Sequence, residues 1–466
     1  MRHLIPAAVR HEIAALWQLA WPMLVGQLAT VGMAVIDVAM SGHASAFDLA
    51  AVSLGASVWS MLIVTVMGVL MSVNPTVSHL VGAGELGAIP HTVRQALWKA
   101  LGVGLIAMLV ANLGAMLFDH LQIESAVVPL AKRFLHVISF AMPAFAAYRV
   151  LYGYSASLNE TKPMMVISLV ALALNAVLNW MFVFGHLGMP RLGGVGCAYA
   201  TLGCVWFSLV ALIAWMRLSP VYRATWPLGH FESPHWPEIR NLLHIGVPIG
   251  VTYFAEASAF SLIALLVARF GAAQVSAHQI ALNFASLVFM VPISLGVALI
   301  TRIGHALGEG NPVEAQFRAW VGVGLALACA VASASFIALF RFQIAAAYTE
   351  DAAVLGLTAQ LLLFAAIFQL SDATQATTSC AIRAYKVTRP PMLIHMTAFW
   401  GVSLPLGCLL GLAPSWLPFA PAKPLEAQGF WIGLVVSLTL AALGLTLFLR
   451  RLTRRRVREA TLPAVA

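Results

Sequence analysis

The sequence predicts an all-α integral membrane protein of twelve transmembrane helices, built as two six-helix bundles related by a pseudo-two-fold axis around a central cavity. Three observations predict it. Of the 466 residues, 61% are hydrophobic and only 9% charged, whereas a soluble domain carries roughly 25% charged residues. Apolar runs of ~20 residues, the length that crosses a hydrocarbon core, recur from one end to the other. Short motifs of the first half also return in the second half in the same order.

The runs fall near 13–38, 48–74, 93–116, 126–153, 164–186, 194–217, 241–267, 275–300, 317–340, 354–382, 391–411 and 428–449. Residues 1–12 are polar and basic. The apolar stretch that follows is too long for a cleaved signal and has no small-residue cleavage site, so it reads as the first span. Residues 218–240 are rich in Pro and Trp (Pro220, Trp226, Pro227, Pro234, Trp236, Pro237). They read as a cytoplasmic crossover between an N-terminal bundle, 1–217, and a C-terminal bundle, 241–449. Residues 450–466 form a basic tail.

Charge sets the orientation. With the N-terminus inside, the cytoplasmic side collects Arg2, Arg10, Arg94, Lys99, Lys162, Arg217, Arg223, Arg240, Arg302, Arg318, Arg383, Lys386, Arg389 and the arginines of the tail. The opposite side collects only Lys132, Arg133, Arg191, Arg269, Arg341 and Lys423. This positive-inside bias puts both termini in the cytoplasm. The net charge of +9 therefore does not point to nucleic acid. Arg450, Arg451, Arg454, Arg455, Arg456 and Arg458 follow directly on an apolar helix, where they meet anionic headgroups.

The repeat is carried by several matches. His79-Leu-Val-Gly82-Ala-Gly84 returns as His305-Ala-Leu-Gly308-Glu-Gly310, and Pro22 returns at the same interval as Pro248. Trp98, Gly102 and Gly104 return as Trp320, Gly322 and Gly324, and Thr161-Lys-Pro163 returns as Thr388-Arg-Pro390. Equivalent residues lie an even number of spans apart, so the repeat is parallel, an arrangement transporters use for alternating access. Pro22 and Pro248 remove a backbone hydrogen bond inside apolar helices and are hinge candidates. The two His-Gly motifs read as helix stops rather than metal sites.

Most acids lie at predicted loops; Asp37, Glu256 and Asp372 do not. A charge near the bilayer centre costs roughly 2.5–3.5 kcal/mol on insertion scales and must be offset by a cation, a proton or a polar partner. Glu256 has no Lys or Arg near it on its own helix, and Asp372 sits among Gln369, Ser371, Thr374 and Gln375. These two form a candidate coupling-cation site. Asp37 with Asn175 and Asn179, which share one helix face, forms a second, oxygen-rich candidate of the kind hard cations prefer. Gln279 and Asn283 make another pair four residues apart. Asp351 lies at the predicted outer mouth. The cysteines Cys197, Cys204, Cys329, Cys380 and Cys408 have no metal-ligand spacing and read as small buried hydrophobes. No clustered catalytic constellation and no Walker phosphate loop appear, so neither an enzyme nor direct drive by ATP is expected.

Several blocks resemble the multidrug and toxic compound extrusion family in its bacterial NorM-type branch. They are Trp21-Pro22, Asp37-Val-Ala-Met-Ser-Gly42, Leu49-Ala-Ala-Val-Ser-Leu-Gly55, Gly193-Gly-Val-Gly196, Ala277-His-Gln-Ile-Ala-Leu-Asn283 and Phe368-Gln-Leu-Ser-Asp372. The resemblance covers nearly the whole chain. It implies an antiporter that expels cationic drugs and dyes in exchange for sodium or protons, with sodium usual in the NorM branch. It assigns Glu256 and Asp372 to coupling-cation binding and Asp37, Asn175 and Asn179 to the related first-half cluster. It places Gln279, Phe289 and Asp351 where family members contact substrate or cation. Phe289 stands where the family often has a polar aromatic residue.

The expected protein is thus a multi-pass monomer of the bacterial inner membrane. It moves small cationic amphipathic substrates and needs no cofactor beyond its coupling ion, sodium or proton. Cation and substrate alternate because they compete for the same negative charge. The alternative is a flippase for lipid-linked substrates, which needs a basic groove for phosphates.

Overall fold

The computed structural model describes residues 6–120, 124–414 and 421–461, and these contain helices and no strand. In chain order the helices are α1 (Ala7–Ala44), α2 (Ala46–Leu70), α3 (Val73–Gly82), α4 (Ile89–Met116), α5 (Val127–Ser139), α6 (Met142–Ser157), α7 (Lys162–Phe184) and α8 (Val195–Leu218). They continue with α9 (Trp236–Val267), α10 (Ala272–Gly308), α11 (Pro312–Tyr348), α12 (Ala352–Ala384), α13 (Arg389–Met396), α14 (Leu404–Leu412) and α15 (Glu426–Thr461). A helix satisfies every backbone polar group within its own segment, as a lipid environment demands.

Among the described residues 11 helical stretches are long and apolar enough to cross a membrane, and the pair α5–α6, bent by 43°, makes a twelfth. Each expected run has its helix. The second run is α2 continued by α3. The eleventh is α13 joined to α14 through a π-helical segment, Thr397–Ser403. α15 does not stop at 449 but carries the tail arginines on to Thr461; residues 1–5 and 462–466, which include Arg2, lie outside the described residues.

By contact the chain divides into a unit of residues 21–250 and a unit of residues 1–20 with 251–466. This differs from the division drawn on the sequence in two places, each with a physical reason. Residues 1–20 belong with the C-terminal residues. Glu12, 2% exposed, accepts from Arg302 Nε at 3.0 Å and from its Nη2, and Arg318 Nε stands 3.8 Å away. Residues 218–250 belong with the first half, because the expected crossover is a strap laid on it. Tyr222 is fully buried and donates to Ser155 Oγ at 3.1 Å. Trp98 Nε1 donates to the Glu232 carbonyl at 2.8 Å, and Gln95 holds Ser233 O and His235 N at 3.0 and 2.7 Å. Arg94 and His91 grip the Glu232 carboxylate, each at 2.5 Å.

In the 21–250 unit α2 packs on α4 and α5, α4 on α6, and α7 on α8. The first turns of α9 join it through Gly246: a Cβ there would stand 2.0 Å from the Val69 carbonyl oxygen of α2. In the other unit α12 is the central helix, with α10, α11 and α15 around it.

The repeat is visible in the helix ends. Ala83 N bonds to His79 O and Glu85 N to Leu80 O at the end of α3; Glu309 N bonds to His305 O and Asn311 N to Ala306 O at the end of α10. All four distances are 2.9 Å, and Gly84 and Gly310 take the left-handed conformation at φ 74° and 71°. Asn159 and Lys386, just before the two Thr-Lys/Arg-Pro motifs, share a φ near 60° (62° and 59°). The same capped turns have been built twice. All five cysteines are free thiols.

Candidate functional site

Two acidic clusters stand out, one in each unit. In the unit formed by 1–20 and 251–466, α9 supplies Tyr253 and Glu256, and α12 supplies Asp372, Gln375, Ser379 and Arg383. α13 supplies His395. Glu256 is partly buried and Asp372 is 4% exposed. Among the described residues neither acid makes an ion pair. Glu256, Gln375, Ser379, Arg383 and His395 line one cavity of about 20 Å³, with Tyr253 and Phe289 in its wall. One water or small cation needs at least about 10–15 Å³, so this space admits such a guest and excludes an organic cation.

Hydrogen bonds tie the cluster together. Gln375 Nε2 donates to Asp372 Oδ1 at 3.0 Å, and Gln375 Oε1 lies 2.5 Å from His395 Nε2. His395 Nδ1 lies 2.7 Å from the Pro391 carbonyl. Arg383 Nη1 donates to Tyr253 Oη at 3.3 Å, with its guanidinium 5.2 Å from that ring's centre. The Ser379 hydroxyl is buried without a hydrogen-bond partner.

In the 21–250 unit, Asp37 of α1 meets Asn175 and Asn179 of α7, as the sequence anticipates. Their amide nitrogens donate to Asp37 Oδ1 at 3.1 and 2.7 Å, and Thr201 Oγ1 of α8 donates to Oδ2 at 2.8 Å. The amides turn nitrogen, not oxygen, to the carboxylate, so the cluster is a donor cradle in this arrangement. Asn175 Oδ1 and Asn179 Oδ1 are buried without a partner.

The remaining sequence candidates are scattered. Gln279 and Asn283 are exposed on α10, with Tyr348 Oη donating to Asn283 Oδ1 at 3.1 Å. Phe289 lines the Glu256 cavity. Asp351 caps α12, accepting from Ala353 N at 2.8 Å and Val354 N at 3.2 Å. Pro22 and Pro248 sit inside unbroken helices.

Sequence reasoning missed Arg383, His395, Thr201 and the burial of Lys99. Arg383 and Lys99, counted among the cytoplasmic bases, are 4% and 3% exposed. Lys99 donates to Ser72 Oγ at 2.6 Å and Val69 O at 3.3 Å, where a cation suits the C-terminal end of α2. The polar run around Asp372 was the one available signal for Gln375. Nothing in the linear pattern marks His395, which arrives from another helix.

A duplicated bundle of membrane-spanning helices that holds Asp37, Glu256 and Asp372, none of them in an ion pair among the described residues, defines a secondary transporter. The chain belongs to the MatE family, whose model matches residues 22–181 and again 248–409, starting at Pro22 and then at Pro248. The multidrug resistance protein PmpM of Pseudomonas aeruginosa is 41% identical over 452 residues, covering 97% of this chain and 94% of that relative. The multidrug resistance protein NorM of Vibrio cholerae is 39% identical over 436 residues, covering 93% and 94%. Among solved structures, the eukaryotic MATE transporter AtDTX14 matches with a TM-score of 0.86 at 18% identity, covering 97% of this chain and 100% of that one; this is a likeness of fold.

Proposed function

We propose that this multidrug efflux transporter exports small organic cations across the bacterial inner membrane, with both termini cytoplasmic, as a monomer, in exchange for protons taken up at Glu256 and Asp372. The observation that carries this reading is charge. Glu256, Asp372 and Arg383 come together inside spanning helices with no ion pair among them, leaving a net charge of −1 while His395 is neutral. A buried charge without a partner costs several kcal/mol. One proton removes the excess.

Sodium fits this site less well. A hard cation takes about six oxygen ligands. Here Gln375 Oε1 faces His395, Tyr253 Oη takes up Arg383, and the guanidinium lines the same cavity. The lipid-linked alternative gains two buried bases, Lys99 and Arg383, but each donates to a protein acceptor.

The two helices that pass between units, α1 and α9, do so beside Pro22 and Pro248. That supports these prolines as the points where the helices bend during alternating access. Proteoliposomes loaded with ethidium test the coupling: a proton gradient alone drives efflux, and Glu256→Gln or Asp372→Asn abolishes it with insertion unchanged. Efflux driven by a sodium gradient alone would overturn proton coupling.

A further inference from the structure

We propose that Asp372, Gln375 and His395 act as one site that holds a single proton, resting on His395 when Asp372 is a carboxylate and on Asp372 when His395 is neutral. The inference rests on Asp372 being the coupling acid.

The argument is a count of donors and acceptors. The Pro391 carbonyl can only accept, so His395 Nδ1, 2.7 Å away, carries a hydrogen. Gln375 Oε1, 2.5 Å from His395 Nε2, can also only accept, so that nitrogen carries a hydrogen too. With the amide in this orientation the ring is an imidazolium. At the far side of the same amide, Gln375 Nε2 donates to Asp372 Oδ1 at 3.0 Å, which is then a carboxylate. Turned over, the amide donates from its nitrogen to a neutral His395 Nε2 and accepts at its oxygen from protonated Asp372.

The two arrangements hold the same number of protons, hydrogen bonds and net charge. In passing from the first to the second, the proton leaves His395 Nε2 and arrives on Asp372. A water in the cavity that His395 and Gln375 line can take it from the ring. With no proton, either amide orientation leaves two lone pairs face to face, against imidazole in one and against carboxylate in the other. The network is complete only with its proton, so loading and unloading are reported by the orientation of one buried amide.

The groups facing this network are few. α9 presents Glu256 and Tyr253, α12 presents Cys380 and Arg383, and α10 presents Phe289 and Ile293, which do not titrate. With His395 protonated, Glu256 and Asp372 balance Arg383 and His395, and the resting site is neutral overall.

Nitrogen-15 spectra of the bilayer-embedded protein with ring-labelled histidine test this. The signal lost in His395→Gln should show both ring nitrogens protonated in acid. It should lose one proton with the midpoint of the efflux pH profile. Asp372→Asn and Gln375→Leu should leave Nε2 unprotonated throughout. Gln375→Leu should also move the efflux midpoint by about one pH unit or more, with the ethidium Kd unchanged within about twofold. If His395→Gln does not fold, Gln375→Leu identifies the signal by its change. A ring singly protonated at every pH in the wild type, or a wild-type efflux profile in Gln375→Leu, would overturn the network. Proton-driven efflux retained in Asp372→Asn would overturn the coupling reading, and with it this proposal, by a separate route.

Discussion

Asp37 and Asp372 are both membrane-embedded aspartates without an ion pair, yet their surroundings are opposite. Asp37 receives three side-chain donors, from Asn175, Asn179 and Thr201. Asp372 receives one, from Gln375, whose other end is tied to a titratable ring. Three donors serve both oxygens of Asp37, whereas a single amide, which can present nitrogen or oxygen, serves Asp372. Duplication supplied the same scaffold twice, as the matching turns at Gly84 and Gly310 display, but the chemistry in each copy is its own. The first copy surrounds its acid with donors; the second, in the function proposed above, changes its protonation.

The comparison can be broken by mutation. The largest effect expected is on transport: Asp372→Asn or Glu256→Gln should lower proton-driven efflux about 100-fold or more, as removal of a positioned proton carrier does. Next is Gly246→Ala, which puts a methyl group 2.0 Å from the Val69 carbonyl and should cost about 3 kcal/mol or prevent folding, read as loss of the monodisperse protein in detergent. Asp37→Asn should follow. An amide offers one acceptor oxygen to three donors, and each buried donor left unsatisfied costs about 1–3 kcal/mol. Its melting temperature should fall, while that of Asp372→Asn, whose amide oxygen can still accept from the single donor Gln375, should hold. Equal losses in the two would erase the distinction between anchor and carrier.

The smallest effect belongs to the strap. The Arg94 hydrogen bond, opposed by desolvation and helped by His91, holds the Glu232 carboxyl below its ordinary value of 4.5. A group lowered in the folded state contributes stability above its unfolded pKa and loses it as pH falls through the folded one. Strap docking should therefore be intact at neutral pH and weaken below about pH 4.5. The effect is under about 1 kcal/mol, because the pair is solvent-screened. Proteolysis between Trp226 and Trp236 at pH 7 and pH 4 measures it, and Glu232→Gln should remove the difference.

How much was legible in advance depended on whether partners lie along the chain or across it. The i, i+4 asparagines of α7 announced a shared face, and Asp37 met them. The polar run Gln369 to Gln375 suggested a lining for water or ions; Gln369 and Gln375 are buried and bond to Ala285 O and to His395. Asp351 was expected at the outer mouth, and the acid at the start of α12 also caps that helix. Arg383 was counted with the water-facing bases because it stands near a predicted span end. Burial against Tyr253 depends on α9, which hydropathy along α12 cannot register.

The linear sequence by itself determined the number of spans, the duplication, the capped turns that repeat and the identity of the unpaired acids. Each follows from composition and from neighbours within a few residues, where helical geometry is fixed. Only tertiary structure decided that residues 1–20 join the C-terminal helices, that 218–250 straps the N-terminal ones, and that Gln375 connects Asp372 to His395. These depend on which helix faces which, and the packing of side chains distant in sequence settles that.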